Sequence, residues 1–242
     1  MPDPQNAWGQ DTRAPGLLAA GEDLSPKRLR EAYSKGIFPW YSKSQPVLWW
    51  STDPRMVLKV DQFRIHHSFK KTLLAFTKNP NCEIRIDSAF STVIKNCALR
   101  PSKKVQSGDT PLEDPPGTWI LPEMQTTYCE AHAQGLAHSV ETWVGGVLVG
   151  GLYCVSIGKA VFGESMFSLQ KDVSKIALAA LVAFCRANGI VMIDCQQNTG
   201  HLASLGAREI PRATFLDSIK ISQHEPAPDW QFQTDFWQKL FT

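Results

Sequence analysis

The central part of the sequence restricts the fold more than any other. Three segments with the apolar content of β-strands follow one another at residues 137–144, 147–156 and 160–167. Gly145-Gly146 between the first two is a strong hairpin signal, and Gly158-Lys159 marks a second turn. An apolar helix is then predicted from Asp172, as its capping residue, to Ala187, with Asn188-Gly189 as its end. We therefore expect an antiparallel meander followed directly by a buried helix.

The remaining segments predict helices on either side of this meander. Ser25 can cap a first helix, Pro26 suits its first position, and Gly36 suits its end. Leu24 and Leu29 occupy the two positions of a hydrophobic staple. Further helices are predicted at residues 68–76, 88–99, 122–132 and 212–219 and near Leu202, strands at 82–86 and 190–196, and an exposed loop at 100–118.

This order of elements predicts an α+β fold with a mixed sheet. The order resembles the N-acetyltransferase-like (GNAT-type) fold. We expect a small N-terminal domain over residues 1–62 and a larger, acetyltransferase-like domain over residues 63–242.

Composition and charge narrow the classes of protein. The formal net charge of +2 is too small to indicate nucleic-acid binding by itself, although basic residues cluster near residues 27–35 and 100–104. The six cysteines form no Cys-x-x-Cys pair and have no zinc-ligand spacing. The longest apolar run, Ile176 to Cys185, is too short to cross a bilayer, and the N-terminus lacks a signal-peptide pattern. We expect a soluble, cytoplasmic protein without a metal ion.

Familiar catalytic signatures are absent from the chain. Gly163 to Phe167 begins like a nucleophile elbow but lacks the closing glycine, so Ser165 is not predicted to be a nucleophile. A CoA-dependent acetyltransferase usually has a glycine-rich loop before its long helix, where bare amides hold the pyrophosphate. The corresponding segment, Ser168 to Lys175, contains no glycine, and Asp172 would repel phosphate. Acetyl-CoA is therefore disfavoured as a cofactor.

An ordered series of longer motifs resembles the leucyl/phenylalanyl-tRNA–protein transferases. The motifs lie at residues 16–19, 23–29, 36–40, 48–55, 117–120, 137–141, 149–153, 162–168, 193–196 and 202–212. Examples are Gly36-Ile37-Phe38-Pro39-Trp40 and Phe162-Gly163-Glu164-Ser165-Met166-Phe167-Ser168. No single motif would be specific, but their shared order from about residue 16 to 215 is. The loop at residues 100–116 is longer than expected for the family, and its role is left open.

The resemblance implies an aminoacyltransferase. Members of that family move Leu, Phe or Met from an aminoacyl-tRNA to the N-terminal Arg or Lys of a protein, which marks the product for degradation by the N-end rule pathway. No organic cofactor or membrane is implied. The tRNA should be recognised mainly at its acceptor end and phosphates, with binding weakened by salt.

The resemblance also implies roles for three polar residues. Asp194 and Gln196 alternate on one strand, so their side chains should share a face, with Cys195 on the other. By the resemblance, Gln196 contacts the attacking amine and Asp194 supports it electrostatically. Glu164 binds either the donor or the acceptor, and the amino group of the aminoacyl moiety is one candidate ligand. The alternative is structural: the strand-end Asp and Gln satisfy backbone groups, and Glu164 faces water at a rim.

The donor side chain needs an apolar pocket. By the resemblance, its candidate residues are Trp49, Trp119, Leu152, Val161 and Ile193, and the tryptophans can also stack on the terminal adenine. Each is alternatively a core residue. Two other functions stay open at this stage: a CoA-dependent N-acyltransferase, and a module that binds tRNA or a degradation signal without catalysis.

Overall fold

The computed structural model describes residues 1–99 and 120–241. The loop predicted at 100–118, together with Trp119, lies outside the described residues. The N-terminal part contains a short 3-10 turn and a three-stranded antiparallel sheet in the order β1-β3-β2. Its elements are β1 (Leu17–Gly21), α1 (Pro26–Ser34), β2 (Phe38–Pro39) and β3 (Val47–Trp50), after the turn at Pro4–Asn6.

The first helix forms as the sequence predicts. The Ser25 side chain accepts a hydrogen bond from the backbone N–H of Arg28, and Pro26 occupies the first turn. Leu24 and Leu29 are both buried in one hydrophobic cluster, as a staple requires. Gly36 ends the helix at φ +69°, a left-handed conformation that glycine adopts without strain. The capping, staple and stop signals are all confirmed.

The rest of the chain builds a seven-stranded sheet in the order β10-β4-β9-β8-β7-β6-β5. Its strands are β4 (Arg55–Lys59), β5 (Cys82–Ile86), β6 (Ala137–Val144), β7 (Val147–Ile157), β8 (Ala160–Ser168), β9 (Met192–Gln196) and β10 (Arg208–Ile210). The β8–β9 pair is parallel and the others are antiparallel. The predicted meander is confirmed as β6-β7-β8, and the predicted α+β class with a mixed sheet is confirmed.

Two hydrophobic clusters cover the two faces of this sheet. The helices are α2 (His67–Lys78), α3 (Phe90–Ala98), α4 (Pro122–Ala133), α5 (Val173–Ala187), α6 (Gly200–Ser204) and α7 (Arg212–Ser222), followed by a 3-10 helix at Thr234–Leu240. One face packs against α5, α2 and the C-terminal 3-10 helix. The other packs against α1, α3, α4, α7 and the three-stranded sheet. We call these the α5 face and the α1 face.

Some details differ from the sequence predictions. Asp172 stands at the start of α5 but makes no side-chain cap; its φ is +64°, and its carboxylate accepts a hydrogen bond from Lys175 Nζ at 2.9 Å. Strands β1 and β10 and the C-terminal 3-10 helix were not predicted. The division into domains at residue 62 stays a prediction; β4, which ends before that residue, lies inside the larger sheet.

Gly150 allows α5 to begin directly on the sheet. A Cβ atom at this position would lie 2.5 Å from Val173 Cγ2 and 3.1 Å from the Val173 carbonyl carbon. We expect Gly150→Ala to lower the free energy of unfolding by about 1–3 kcal/mol, because the added methyl group overpacks this contact. Gly21→Ala is the matched control, since a Cβ there meets nothing within 4 Å. Equal denaturation midpoints for the two variants would contradict this prediction.

Candidate active site

An irregularity in β8 places Glu164 on the α1 face. Ser165 pairs with Tyr153 and Gly163 pairs with Cys154, so Glu164 is the extra residue of a bulge. Its carboxylate accepts hydrogen bonds from Tyr33 Oη at 2.7 Å and from Tyr128 Oη at 3.2 Å. The bulge therefore directs a carboxylate towards two tyrosines from α1 and α4.

The two hydroxyls and the Glu164 carboxyl group form a closed ring of three contacts that involves four oxygens. The two tyrosine hydroxyls lie 2.6 Å apart, and each also contacts Glu164. Two hydroxyl protons cannot serve all three contacts when the carboxylate is ionised. A protonated Glu164 supplies the third proton, so the geometry favours the acid form.

The pKa values in this cluster also favour a protonated Glu164. Burial, with a smaller effect of the nearby Asp194 charge, raises the pKa of Glu164 from its ordinary value of 4.5 to about 7, against the hydrogen bonds from the tyrosines and the charge of Arg55. Burial also raises the pKa of both tyrosine hydroxyls well above their ordinary value. Glu164 can therefore change its protonation state near neutral pH, while the tyrosines stay neutral.

This shift gives a pH dependence of stability. Between about pH 4.5 and 7 the folded protein keeps a proton on Glu164 that the unfolded chain releases. The protonated Glu164 therefore adds to the free energy of unfolding below about pH 4.5, and this contribution is lost as the pH rises to about 7. We expect Glu164→Gln to flatten this part of the pH–stability curve, measured by urea denaturation. Glu130→Gln, at an exposed position, should keep the wild-type slope, and the same slope in all three proteins would refute the assignment.

Gln196 joins the cluster from the end of β9. Its side-chain Nε2 donates to Glu164 Oε1 at 3.2 Å. Because the acid proton of Glu164 is used in the contacts with the tyrosines, Oε1 still accepts here, which directs the amide nitrogen of Gln196 to Glu164 and leaves its amide oxygen on the other side. The backbone of Gln196 is left-handed, with φ +55°, and its carbonyl accepts from Thr52 Oγ1 at 3.1 Å. A non-glycine residue held in this conformation is a common feature of functional sites.

Asp194 forms an ion pair with a buried arginine. Arg55 Nε and Nη2 donate to its two carboxylate oxygens at 2.8 and 2.6 Å, and Asp194 Oδ1 also accepts from the Gln196 backbone N–H at 3.0 Å. Arg55 is 0% exposed and Asp194 1%. The guanidinium lies between the rings of Phe38, at 4.8 Å, and Phe215, at 4.5 Å. The pair therefore fixes the backbone that carries Gln196.

The structure brings some of the predicted residues together and separates others. Glu164, Asp194 and Gln196 lie on the α1 face. Leu152, Val161 and Ile193 lie in the cluster of the opposite, α5 face, with Cys195 partly buried against it. Trp49 belongs to the α1-face cluster, and Trp119 lies outside the described residues. The shared face of Asp194 and Gln196 is confirmed, whereas the pocket roles stay predictions.

Sequence reasoning assigned no role to Tyr33, Tyr128 or Arg55. Arg55 closes the motif at residues 48–55, so its presence there was the available signal. The tyrosines carry no local signal, because they reach Glu164 only through the packing of α1 and α4.

A pair of accessible tryptophans lies in the N-terminal part. Trp49 is only 3% exposed, whereas Trp40 is 40% exposed. The rings of Trp40 and Trp50 lie 5.5 Å apart in a tilted arrangement, and Trp50 Nε1 donates to the Trp40 carbonyl at 2.6 Å. Trp40 follows Phe38, the residue that covers Arg55, by two positions. The exposed Trp40 ring thus lies two residues along the chain from a residue that packs on Arg55.

Other chemistry is not supported within residues 1–99 and 120–241. This part of the chain contains no group of three His, Cys, Asp or Glu side chains that could hold a metal ion. Burial raises the pKa of Cys195, which keeps its thiol protonated and makes it a poor nucleophile. None of the described helices combines the length and the apolar character needed to cross a bilayer.

Comparison with known sequences gives a consistent result. The sequence model described as "Leucyl/phenylalanyl-tRNA protein transferase" matches residues 57–220, and the corresponding N-terminal domain model matches residues 22–53. A protein of Albidiferax ferrireducens named leucyl/phenylalanyl-tRNA–protein transferase is 57% identical over 242 residues, which are 100% of this chain and 91% of that protein. A protein of the same name from Polaromonas sp. is 56% identical over 236 residues, 98% of this chain and 89% of its own.

Solved structures are similar only at a general level. A functionally unknown conserved protein from Staphylococcus epidermidis superimposes with a TM-score of 0.36 and 9% identity, covering 81% of this chain and 68% of that one. A GCN5-related N-acetyltransferase from Kribbella flavida gives 0.34 and 9%, covering 73% and 58%. Such scores do not define a fold, which here rests on the strand order of the sheet.

Proposed function

This chain belongs to the leucyl/phenylalanyl-tRNA–protein transferase family, and we propose that it moves Leu, Phe or Met from an aminoacyl-tRNA to the N-terminal Arg or Lys of an acceptor protein. The new N-terminal residue would mark the acceptor for degradation by the N-end rule pathway in the cytoplasm. The observation that carries this proposal is the 57% identity that extends over all 242 residues.

The proposed reaction is a direct aminolysis. The acceptor α-amine forms a bond to the carbonyl carbon of the donor ester, the ester C–O bond breaks, and the tRNA terminal hydroxyl leaves with a proton that the amine gives up. An α-amine has an ordinary pKa of about 7.7–8.0, so a useful fraction is neutral at cellular pH. The ester is already activated, so the enzyme needs to supply position and a polar partner for the amine rather than a covalent nucleophile.

Gln196 is the group best placed for that partner. Its amide nitrogen is directed to Glu164, so its amide oxygen is oriented to accept a hydrogen bond from the attacking amine. Asp194 acts through the backbone: it accepts from the Gln196 N–H and holds the left-handed conformation. In this proposal Gln196 contacts the substrate and Asp194 is a positioning residue.

In this proposal Glu164 binds the amino group of the donor amino acid. Its carboxylate lies beside the Gln196 amide, where a negative charge attracts the ammonium group of an aminoacyl ester. Such a cation would lower the pKa of Glu164 again, because an opposite charge favours the ionised form. Donor binding and ionisation of Glu164 would thus support each other.

The donor's side chain and terminal base need separate surfaces. We keep Leu152, Val161 and Ile193 as the proposed apolar lining, together with Trp119. All three described members are buried on the α5 face, across the sheet from Glu164 and Gln196, so donor binding there requires rearrangement of the packing around β8 and β9. For stacking of the terminal adenine, the exposed Trp40, which packs against the half-buried Trp50, offers a ring surface that the buried Trp49 does not.

The CoA-dependent alternative is disfavoured by the start of α5. A pyrophosphate would need free backbone amides at this helix N-terminus. Asp172 stands at that position and presents a carboxylate, held by Lys175 at 2.9 Å. A carboxylate at the helix start would repel the pyrophosphate, so tight binding of CoA in calorimetry would contradict the proposal.

The decisive experiment is transfer of labelled Leu, Phe or Met from the charged tRNA to a peptide. Peptides beginning with Arg or Lys should be modified, and matched peptides beginning with Ala should not. Binding of aminoacyl-tRNA without ester cleavage in the presence of an Arg peptide would favour a non-catalytic binding module. Transfer to every peptide alike would remove the acceptor specificity but keep the donor chemistry.

A further inference from the structure

A polar hollow lies at the β10 edge of the large sheet, away from the candidate active site. It encloses about 270 Å³ and is lined by Gln62, Arg64, Gly206 and Arg208. Arg64 and Arg208 are both exposed, and neither has a hydrogen-bond or ion-pair partner for its guanidinium within the described part of the chain. Two guanidinium groups without protein partners that line one hollow offer hydrogen-bond donors and positive charge to an anion.

The hollow has a rigid wall. The backbone N–H of Arg64 donates to the Leu205 carbonyl at 2.9 Å, and His66 Nε2 contacts the Ser204 carbonyl at 2.8 Å. Gly206 packs so closely that a Cβ atom would lie 2.1 Å from the Gln62 carbonyl oxygen. The two segments that carry the arginines are therefore joined to each other, which holds the hollow in place before any ligand arrives.

Strand pairing links one lining residue of the hollow, Arg208, to the candidate site. Arg208 pairs with Val57, and Ile210 pairs with Arg55, the partner of Asp194. Directly paired residues of neighbouring strands point to the same face, and Val57 is buried on the α1 face. Arg208 is thus two residues, or about 7 Å, along β10 from the strand pair that supports the active site.

The charge around the hollow stays positive. Lys59 lies two residues after Val57 on β4, so the two side chains share a face. Lys59 is exposed and has no ion-pair partner among the residues described. Glu209 follows Arg208 on β10, so its side chain points to the opposite face. Asp61 and Glu209 are the acidic neighbours in sequence of the lining residues, and neither lines the hollow. The lining itself holds two cations and no carboxylate, which favours an anionic ligand.

We propose that this hollow binds the phosphate backbone of the donor tRNA behind its terminal nucleotide. The inference rests on the proposed function, in which the terminal ribose ester lies at Gln196. The phosphates that follow must then leave the site across a neighbouring surface, and β10, which pairs with the strand of Arg55, leads to Arg208 at the hollow. Arginine suits this ligand, because its planar guanidinium donates two parallel hydrogen bonds to a phosphate.

The test compares the double variant Arg64→Gln/Arg208→Gln with Arg85→Gln/Lys78→Gln, which removes the same charge elsewhere. Arg85 lies on β5, the opposite edge of the sheet from β10. We expect the first variant to weaken binding of uncharged tRNA roughly tenfold or more. The slope of log affinity against log salt should become shallower by roughly 0.7–0.9 for each phosphate that the variant no longer binds. The control variant should bind with the wild-type affinity and slope.

Each outcome decides the inference. Wild-type tRNA affinity in the first variant would overturn it, and so would an equal loss in the control, which would indicate net charge alone. Retention of polyglutamate by the wild type but not by the first variant, with unchanged tRNA binding, would assign the hollow to an acidic protein instead. Since this assay uses uncharged tRNA and measures no transfer, failure of the proposed function would appear separately, as absent transfer with intact binding.

Kinetics gives a second measurement where transfer occurs. The first variant should raise the KM for aminoacyl-tRNA with little change in kcat, because neither arginine touches the reacting groups. A donor reduced to an aminoacyl ester of adenosine, which lacks the phosphates, should be used equally well by wild type and variant. A fall in kcat with either donor would contradict the proposed phosphate role.

Discussion

Arg55→Met is expected to lower the free energy of unfolding by about 3–5 kcal/mol and to abolish detectable transfer. Asp194 is 1% exposed, and its two oxygens accept from Arg55 at 2.8 and 2.6 Å. Methionine fills most of the space between Phe38 and Phe215 but leaves the carboxylate buried without its cation. For a chain of this size the melting temperature should fall by roughly 6–20 °C. Arg85→Met, at an exposed pair with Glu83, should change stability by less than about 1 kcal/mol.

A double variant separates stability from positioning. In Arg55→Met/Asp194→Leu both charges are removed, and an apolar pair of similar volume often matches a buried ion pair in stability. We therefore expect most of the lost stability to return. Transfer should stay low, because the Gln196 backbone N–H loses its acceptor, Asp194 Oδ1, at 3.0 Å. Recovery of wild-type kcat in the double variant would show that Asp194 acts only on stability.

The parts of the fold that the sequence predicts correctly are those determined by local chemistry. The α1 helix follows from Ser25, Pro26 and Gly36, whose caps and turn conformation depend on neighbouring residues only. The hairpin at Gly145-Gly146 forms because both residues adopt positive φ, 58° and 77°. Such signals depend only on residues that are close in sequence, so they can be recognised in a single sequence.

Features that depend on distant contacts could not be predicted from the sequence. Tyr33 and Tyr128 are 95 residues apart, and Arg55 and Asp194 are 139 residues apart. Strand β10 has only three residues and is recognisable through its pairing with β4. Asp172 has the residue type of a helix cap, but its left-handed backbone directs the carboxylate to Lys175 instead. Tertiary packing overrides local preference in each case.

The candidate site was predicted in part for the same reason. The alternation of a strand correctly placed Asp194 and Gln196 on one face. It could not show that Asp194 is already paired with Arg55, nor that Gln196 contacts Glu164 across the parallel β8–β9 pair. The proposed division of roles, with Gln196 towards substrate and Asp194 behind it, therefore follows from contacts rather than from the motif.

Gln196→Met is expected to lower kcat for leucine transfer by about 100-fold or more, within the range that removal of a positioned polar group produces. Methionine has nearly the same length and no amide, so the acceptor amine loses its hydrogen-bond partner while the cluster keeps its packing. The backbone N–H and carbonyl of residue 196 keep their contacts with Asp194 and Thr52, so the fold should be preserved. Near-wild-type melting, together with a KM for aminoacyl-tRNA within a few-fold of wild type, would place the loss in the chemical step.

The adjacent residue provides a matched control for this prediction. Gln197 has the same side chain but is exposed, so Gln197→Met should leave kcat within about twofold of wild type, as expected for a surface substitution. A loss shared by both variants would indicate a disturbed end of β9 rather than a missing amide. Wild-type kcat in Gln196→Met would remove Gln196 from the mechanism, and the Glu164–tyrosine cluster would then be the remaining polar group near the attacking amine. In that case Glu164→Gln should carry the large loss, because its amide cannot take up the proton that the amine releases.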